Sequence, residues 1–227
     1  MTASISTTVD LLRHGACEGG NIFRGVTDSA LNDHGWQQMT AAVSLHSGWQ
    51  RVVSSPLQRC LYFAKRFASA NGLPLVVEPG LREIHFGHWE GRDIAAVWQE
   101  DKAFLEHYYR SPGDLAPPGG ETPTEALARL RQAWDDLLTC HQGEHLLLIC
   151  HGGAIRLLLC HLLGAPLASA HFFDVPHGCL TRLRIYHLHD GDVVQLLFHQ
   201  PPPFQAGIQP QSAALSQTDP CAHRPHS

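Results

Sequence analysis

Leu146, Leu147, Leu148, Ile149 and Cys150 run on without a polar residue, and His151, Gly152 and Gly153 follow at once. An unalternated apolar run of strand length predicts a strand over 145–150 covered on both faces, as an interior strand of a parallel sheet is. Parallel neighbours need crossover connections, which helices supply. The rest of the chain alternates accordingly. A β-prone segment at 8–12 leads into Gly15, Gly19 and Gly20, and Asn32 or Asp33 caps a helix to about His46 despite Gly35. A second strand at 51–55 meets Pro56 in the first turn of a helix that reaches Asn71 and closes at Gly72. A third strand occupies 75–78, and one helix over 93–109 carries Ile94, Val97, Trp98, Leu105 and Tyr108 at helical spacing. Residues 111–120 hold three prolines and three glycines and read as a loop.

Thr122, Pro123, Thr124 and Glu125 form a capping box. Behind it, Ala126, Leu130, Ala133, Trp134, Leu137 and Leu138 make one apolar face up to about His141. A helix through Leu163 follows His151, and a hairpin of 179–187 and 193–198 turns at Asp190, Gly191 and Asp192. After His199 the composition shifts to Pro, Gln, Ser, Ala and His with no periodic apolar face, which predicts a disordered tail over 200–227. The body, residues 1–199, reads as one α/β domain with a mainly parallel central sheet.

With 16 basic against 21 acidic residues the net charge is -5. Nothing in bulk would neutralise a nucleic-acid backbone or seek an anionic membrane. No apolar run approaches a membrane span, and residues 1–8 are too short and hydroxyl-rich for a signal segment. The seven cysteines show no framework or zinc spacing. The expectation is a soluble, reduced, cytoplasmic protein without nucleic-acid or membrane partners. Its oligomeric state is open, a homodimer included.

Ligands of open α/β sheets bind beyond the carboxyl ends of strands. Three predicted strands end alike: Arg13, His14 and Gly15 after the first, Ser54, Ser55, Pro56 and Arg59 after the second, His151 and Gly152 after that at 145–150. Two guanidinium groups and two imidazoles thus converge on one edge. A phosphate monoester dianion needs several donors at once, and arginine forks supply them in pairs. Helix N-termini near Pro56 and Gly153 are expected to add backbone donors.

These residues belong to a longer ordered pattern. Arg13-His14-Gly15 precedes a segment from Phe23 through Arg24 to Asp28, then Leu31, Gly35 and Gln38. Ser54, Ser55, Pro56 and Arg59 come next, followed by Glu83, the run Phe86, Gly87, His88, Trp89, Glu90, Gly91, and finally His151-Gly152. Over roughly residues 8–198 the chain resembles the histidine phosphatase (phosphoglycerate mutase-like) superfamily. It looks closest to α-ribazole phosphatases of cobalamin synthesis, through Asp10 to Gly15, Phe86 to Gly91 and the Gly178-Cys179 turn. The resemblance implies a three-layer α/β fold and a cofactor-free, metal-independent phosphomonoesterase acting on a small-molecule phosphate ester. The 5′-phosphate of α-ribazole phosphate or of a cobamide precursor is the candidate substrate. It implies His14 as nucleophile, Glu83 as proton donor and Arg13, Arg59, His151 and Gly152 as phosphate ligands. Asn21 and Arg24 are candidate substrate contacts.

Bland readings stand beside these. Glu90 is a nearby alternative acid, and Arg24 reads equally as a surface arginine. His85 and His88 lack further identifiable ligands, so no metal site is expected. Cys17, Cys150 and Cys160 read as small packing residues, and the aromatics from Trp98 to Tyr109 as core rather than a stacking platform. Ala16 and Cys17 stand where relatives usually carry Glu and a hydroxyl, Gly20 where Asn is common, and His88 where Asp is more usual. A broad-specificity phosphatase, a phosphoglycerate mutase-like phosphomutase and a non-catalytic phosphate-binding module are the competing functions. A mutase must hold a second anionic group, yet residues 92–125 carry three basic residues against seven acidic ones, which favours hydrolysis. His14-dependent turnover of an aryl phosphate separates enzyme from module. Cutting the chain after about Phe198 is expected to leave kcat and KM within a few-fold of the full chain. Loss of cooperative melting would put the domain edge elsewhere.

Overall fold

The structure, a computed structural model, describes residues 5–110, 113 and 115–201. The expected tail from residue 202 onward, and part of the 111–120 loop, lie outside these residues. Six strands form one sheet: β1 (Ser6–Arg13), β2 (Arg51–Ser54), β3 (Leu75–Val77), β4 (His145–Cys150), β5 (Leu180–Leu188) and β6 (Gly191–Gln200). Their order is β3-β2-β4-β1-β5-β6. The pairs β3-β2, β2-β4 and β4-β1 are parallel, and β5 runs antiparallel to both β1 and β6. The fold is thus α/β with a mostly parallel sheet.

Burial explains the layering. Val9 and Leu11 of β1 pack on α5 (Pro123–Cys140) and α6 (Gly152–Leu162) in one core. Leu12 packs on the other face, against α1 (Asp33–Ser44) and α2 (Gln58–Asn71). The strand over 145–150 appears with the expected bounds and is covered on both sides, Leu146 and Leu148 in the first core and Leu147 and Ile149 in the second. Asn32 caps α1 through Gly35 N–H (2.8 Å), and the capping box of α5 is complete. Gly35 is tolerated because backbone meets backbone there. A Cβ on it would lie 2.0 Å from the Ala16 carbonyl oxygen, and one on Gly15 only 2.1 Å from that of Gly35.

Three boundaries differ from expectation. Helix α2 starts at Gln58, two residues beyond Pro56, because Leu57 is the extended N-cap residue and Asp28 Oδ1 accepts from Gln58 N–H at 2.7 Å. The single helix expected over 93–109 is two, α3 (Ile94–Glu100) and α4 (Lys102–Arg110). They part at Asp101, whose carboxylate accepts from Trp89 Nε1 (3.3 Å), and Trp89, Phe23, Val97 and Leu105 form a small separate core. Strand β6 continues through Gln200, which pairs with Leu180. The tail cut therefore belongs after Gln200.

Asp10 lies fully buried in the β1 row. Arg182 grips it bidentately (Nε to Oδ1 2.7 Å, Nη2 to Oδ2 2.8 Å), while Trp49 Nε1 (2.7 Å) and His145 Nε2 (3.2 Å) reach Oδ2. Burial works to raise its pKa, but the hydrogen bonds and charges of Arg182 and His145 outweigh burial and leave it lowered. A lowered folded-state pKa adds stability above the ordinary carboxylate value of about 4, lost as pH falls through the folded value. Asp10→Ala is expected to cost about 1–3 kcal/mol by leaving the half-buried Arg182 and the Trp49 indole N–H without their acceptor. Denaturant melts from pH 7 to 2 should show part of the parent's acid-side loss missing in Asp10→Asn. Identical pH slopes would remove Asp10 from the acid response.

Candidate active site

The adjacent strands β2, β4 and β1 end at one edge of the sheet, and the three polar segments meet there. His14 N–H donates to Cys150 O (3.0 Å) and Ser55 N–H to Ile149 O (3.0 Å), so each segment leaves its strand in register with the next. The His14 and His151 rings stand 5.2 Å apart, edge to face. His14 is 4% exposed, and Arg59 and His151 are fully buried.

The hydrogen bonds decide the tautomers. His14 Nδ1 lies 2.8 Å from Gly15 O, which only accepts, so Nδ1 carries the proton. Nε2, with no hydrogen bond among the described residues, keeps its lone pair. Burial, then the charges of the His151, Arg59, Arg13 and His177 neighbourhood, pushes the His14 pKa well below its ordinary value. Arg59 Nε donates to His151 Nδ1 (3.1 Å), which leaves the His151 proton on Nε2, facing Ser55 Oγ at 2.7 Å. Burial and the nearby guanidiniums hold His151 neutral too.

The arginines differ in freedom. Arg59 also donates to Thr27 O (2.9 Å), Gly25 O (2.6 Å) and Arg24 O (3.3 Å), which commits four of its five N–H groups to protein. Arg13 donates from Nη1 to Val175 O (2.6 Å) and from Nη2 to His177 Nε2 (3.0 Å), while its buried Nε has no partner. Burial, then the Arg156 charge, lowers the Arg13 pKa to about 10. Gly152 opens α6, and a Cβ there would come within 3.0 Å of Arg13 Nε. Glycine keeps that approach open.

Glu83 is 7% exposed and turns its carboxylate to the start of α6, accepting from Gly153 N–H (2.9 Å), Ala154 N–H (2.9 Å) and Ile84 N–H (3.1 Å). The two helix N-termini expected to serve the substrate are therefore engaged by carboxylates: Asp28 at α2 and Glu83 at α6. Glu90 separates cleanly from Glu83. It accepts from Gly25, Val26, Thr27 and Phe86 N–H and from Thr27 Oγ1, and holds the 25–27 segment in place. Burial works to raise its pKa, and those hydrogen bonds win and lower it. Arg24 donates to Glu18 O (2.8 Å) and Gly20 O (3.0 Å), and its buried Nε is unpaired. Asn21 is exposed, and its carbonyl accepts from Ile94 N–H (3.0 Å).

Sequence reading missed two residues here. Arg129 pins the Glu83 segment by donating to Gly80 O, Arg82 O and Glu83 O and pairing with Glu121. Its position between Ala126 and Ala133 on the buried stripe of α5 was the available signal. His177, whose ring lies 5.5 Å from that of His14, had none. Cys17 Sγ sits 3.6 Å from His14 Nδ1, and burial raises its pKa, which suits a packing thiol. Among the described residues no group of three or more His, Cys, Asp or Glu is placed to hold a metal ion, His85 and His88 included. No helix among them is long and apolar enough to cross a membrane. Beside the Glu83 segment lies an open groove of about 510 Å³, lined by Val26, Arg82, His85, Gly120, Glu121 and Glu125.

The family description of the histidine phosphatase superfamily (branch 1) matches residues 9–197. The "probable phosphoglycerate mutase GpmB" of Yersinia pestis is 33% identical over 179 residues, covering 77% of this chain and 83% of that protein. A bifunctional protein of Mycobacterium tuberculosis is 36% identical over 146 residues. That match covers 62% of this chain but 40% of the relative, so the chain spans about two fifths of the mycobacterial proteins it matches. Among solved structures, mycobacterial glucosyl-3-phosphoglycerate phosphatase aligns with a TM-score of 0.75 at 25% identity, over 84% of this chain and 97% of that one. The α-ribazole phosphatase of Shigella flexneri aligns with a TM-score of 0.69 at 25% identity, over 83% and 95%.

Glu90→Gln replaces a carboxylate by one acceptor oxygen facing five donors. Hydrogen bonds to charged groups are worth about 1.5–3 kcal/mol each. The variant is expected to melt several degrees lower and to expose the Val26 and Thr27 amides to faster hydrogen exchange. Unchanged exchange at both amides would contradict the holding role.

Proposed function

This chain belongs to the histidine phosphatase superfamily, branch 1, and we propose that it is a phosphomonoesterase that works through a phosphohistidine on His14. The observation that carries the reading is the His14 tautomer: Nδ1–H is tied to Gly15 O, which leaves the Nε2 lone pair free on a ring that lies 5.2 Å from that of His151 and feels the charges of Arg59 and Arg13. Nε2 attacks phosphorus as the ester P–O bond breaks, and the charge spread over the equatorial oxygens falls to the guanidiniums. Arg13 offers its unpaired Nε, and Arg59 its one uncommitted N–H. Glu83, fixed at the α6 N-terminus, gives its proton to the leaving alkoxide. It then takes one from the water that breaks the P–N bond. The positive charge of Arg13 and Arg59 does the work a divalent cation would otherwise do, so turnover is expected to survive exhaustive chelation.

For the substrate we propose the 5′-phosphate of α-ribazole phosphate or of a cobamide precursor. The Asp10–Gly15 and Phe86–Gly91 motifs and the likeness to the Shigella enzyme support it. Ranking kcat/KM over a panel with α-ribazole 5′-phosphate, glucosyl-3-phosphoglycerate and 3-phosphoglycerate tests the choice, and a carboxylated ester at the top would overturn it.

His14→Ala is expected to lose turnover while melting near normally, and labelled substrate should leave an acid-labile phosphoramidate on the parent. An acid-stable label would refute the histidine route. Glu83→Gln should lose most of the roughly 10²–10⁴-fold of general acid catalysis in phosphorylation by an alkyl ester, and much less with nitrophenyl phosphate, whose phenolate leaves unaided. Equal pre-steady-state losses with both esters would sink the acid role.

A further inference from the structure

His177 belongs to none of the sequence motifs, yet it reaches the centre of the site. It lies in the turn between the 3-10 segment Leu167–Phe172 and β5. That turn is fastened to the end of β1 on both sides. Gly178 N–H donates to Arg13 O (3.2 Å), Arg13 N–H to Cys179 O (3.0 Å), and Cys179 N–H closes on Pro176 O (2.9 Å). His199 Nε2 from β6 holds Asp174 O (2.5 Å). The turn therefore carries Val175 O and the His177 ring as a fixed bracket around Arg13.

A guanidinium donates and never accepts, so the 3.0 Å contact from Arg13 Nη2 makes His177 Nε2 an acceptor and the imidazole neutral. Burial, reinforced by the Arg13 and Arg24 charges, holds its pKa down at about 2, so the acceptor persists at every working pH. Val175 O takes Nη1 at 2.6 Å. With both Nη ends held from one side, the plane of the guanidinium is set. One N–H remains on each Nη, and the Nε, beside Gly152, is the buried nitrogen of Arg13 with no protein partner at all. An unpaired buried donor of a charged group is costly, and a ligand oxygen is what would satisfy it.

We propose that His177 is a positioning residue of the reaction: it accepts from Arg13 Nη2 and so aims Arg13 Nε at the phosphoryl group on His14. This rests on the phosphatase reading. The His177 ring lies 5.5 Å from that of His14 with no hydrogen bond between the two, so its route to the reaction is the bond to Arg13.

The test compares the full chain with His177→Leu, His177→Ala and His177→Asn in three measurements: kcat/KM on nitrophenyl phosphate, the Kd of inorganic phosphate by calorimetry, and Tm. Leu and Ala remove the acceptor, while Asn can return one through Oδ1. Partners that orient metal ligands contribute about 10–100-fold, and the same scale is expected of one that orients a phosphate-binding arginine. Leu and Ala are expected to lose that much in kcat/KM and to weaken phosphate, and Asn to recover to within about five-fold of the parent. If leucine does not fold there, alanine, which adds no atoms, carries the comparison. Parent-like phosphate binding and turnover in Ala, or an Asn variant as poor as Ala, would overturn the proposal. So would losses that track Tm alone. A parent that binds phosphate without turning over the ester fails the phosphatase reading, and the phosphate series still judges His177. A parent that neither binds nor turns over fails both.

Discussion

The parallel register of β1 on β4 fixes where each polar group of the site falls. Arg13 stands opposite Cys150, and His14 N–H takes the Cys150 carbonyl as the two strands end. One step further along each chain brings the two imidazoles within 5.2 Å of one another. A one-residue slip would turn Arg13 and His14 to opposite faces, because side chains alternate along a strand. Asp10 opposes the slip, since its fully buried carboxylate is held by Arg182, Trp49 and His145, and a shift by one residue would carry it to the other face. A buried acid in the middle of β1 thus sets chemistry at the end of the strand.

What this edge concentrates is positive charge with little water. Burial and mutual repulsion leave both imidazoles neutral and Arg13 at about 10. Backbone carbonyls, rather than carboxylates, solvate the guanidiniums: those of residues 24, 25 and 27 for Arg59, and of Val175 for Arg13. Carbonyl dipoles stabilise a cation without cancelling it, so the site keeps a net attraction for an anion. Glu83 sits off to the side, where helix α6 offers two N–H groups to its carboxyl oxygens.

The strands, the layering and the meeting of Arg13, His14, Arg59 and His151 were legible in the sequence, because strand ends in a parallel sheet share one edge. Boundaries set by side chains distant in sequence were not. Asp28 reaches 30 residues to meet the start of α2, and Trp89 meets Asp101 where one helix becomes two. Glu83 and Glu90 are alike on paper. Only the donors around them tell the anchor of a loop from the group at a helix end. Arg129 hid in an apolar stripe, and Asp10 looked like part of a motif rather than a fully buried acid gripped by Arg182. His177 offered no signal at all, since its contact with Arg13 spans 164 residues.

The segment 24–27 links these observations. Glu90 holds it by its N–H groups and Arg59 by its carbonyls, so one short strap lies between an anion and a cation. Trp89, beside Glu90 in sequence, belongs to the small core of α3 and α4, which sets that end of the strap. Arg59 is therefore a strut first. With four of its donors committed, it can offer a phosphate oxygen only its remaining N–H unless the strap moves. Arg13, with Nε unpaired and both Nη groups braced from behind, is the better prepared of the two. The division follows from donor count: Arg59 commits four donors to the walls of the site, and Arg13 commits two and keeps a buried Nε unpaired.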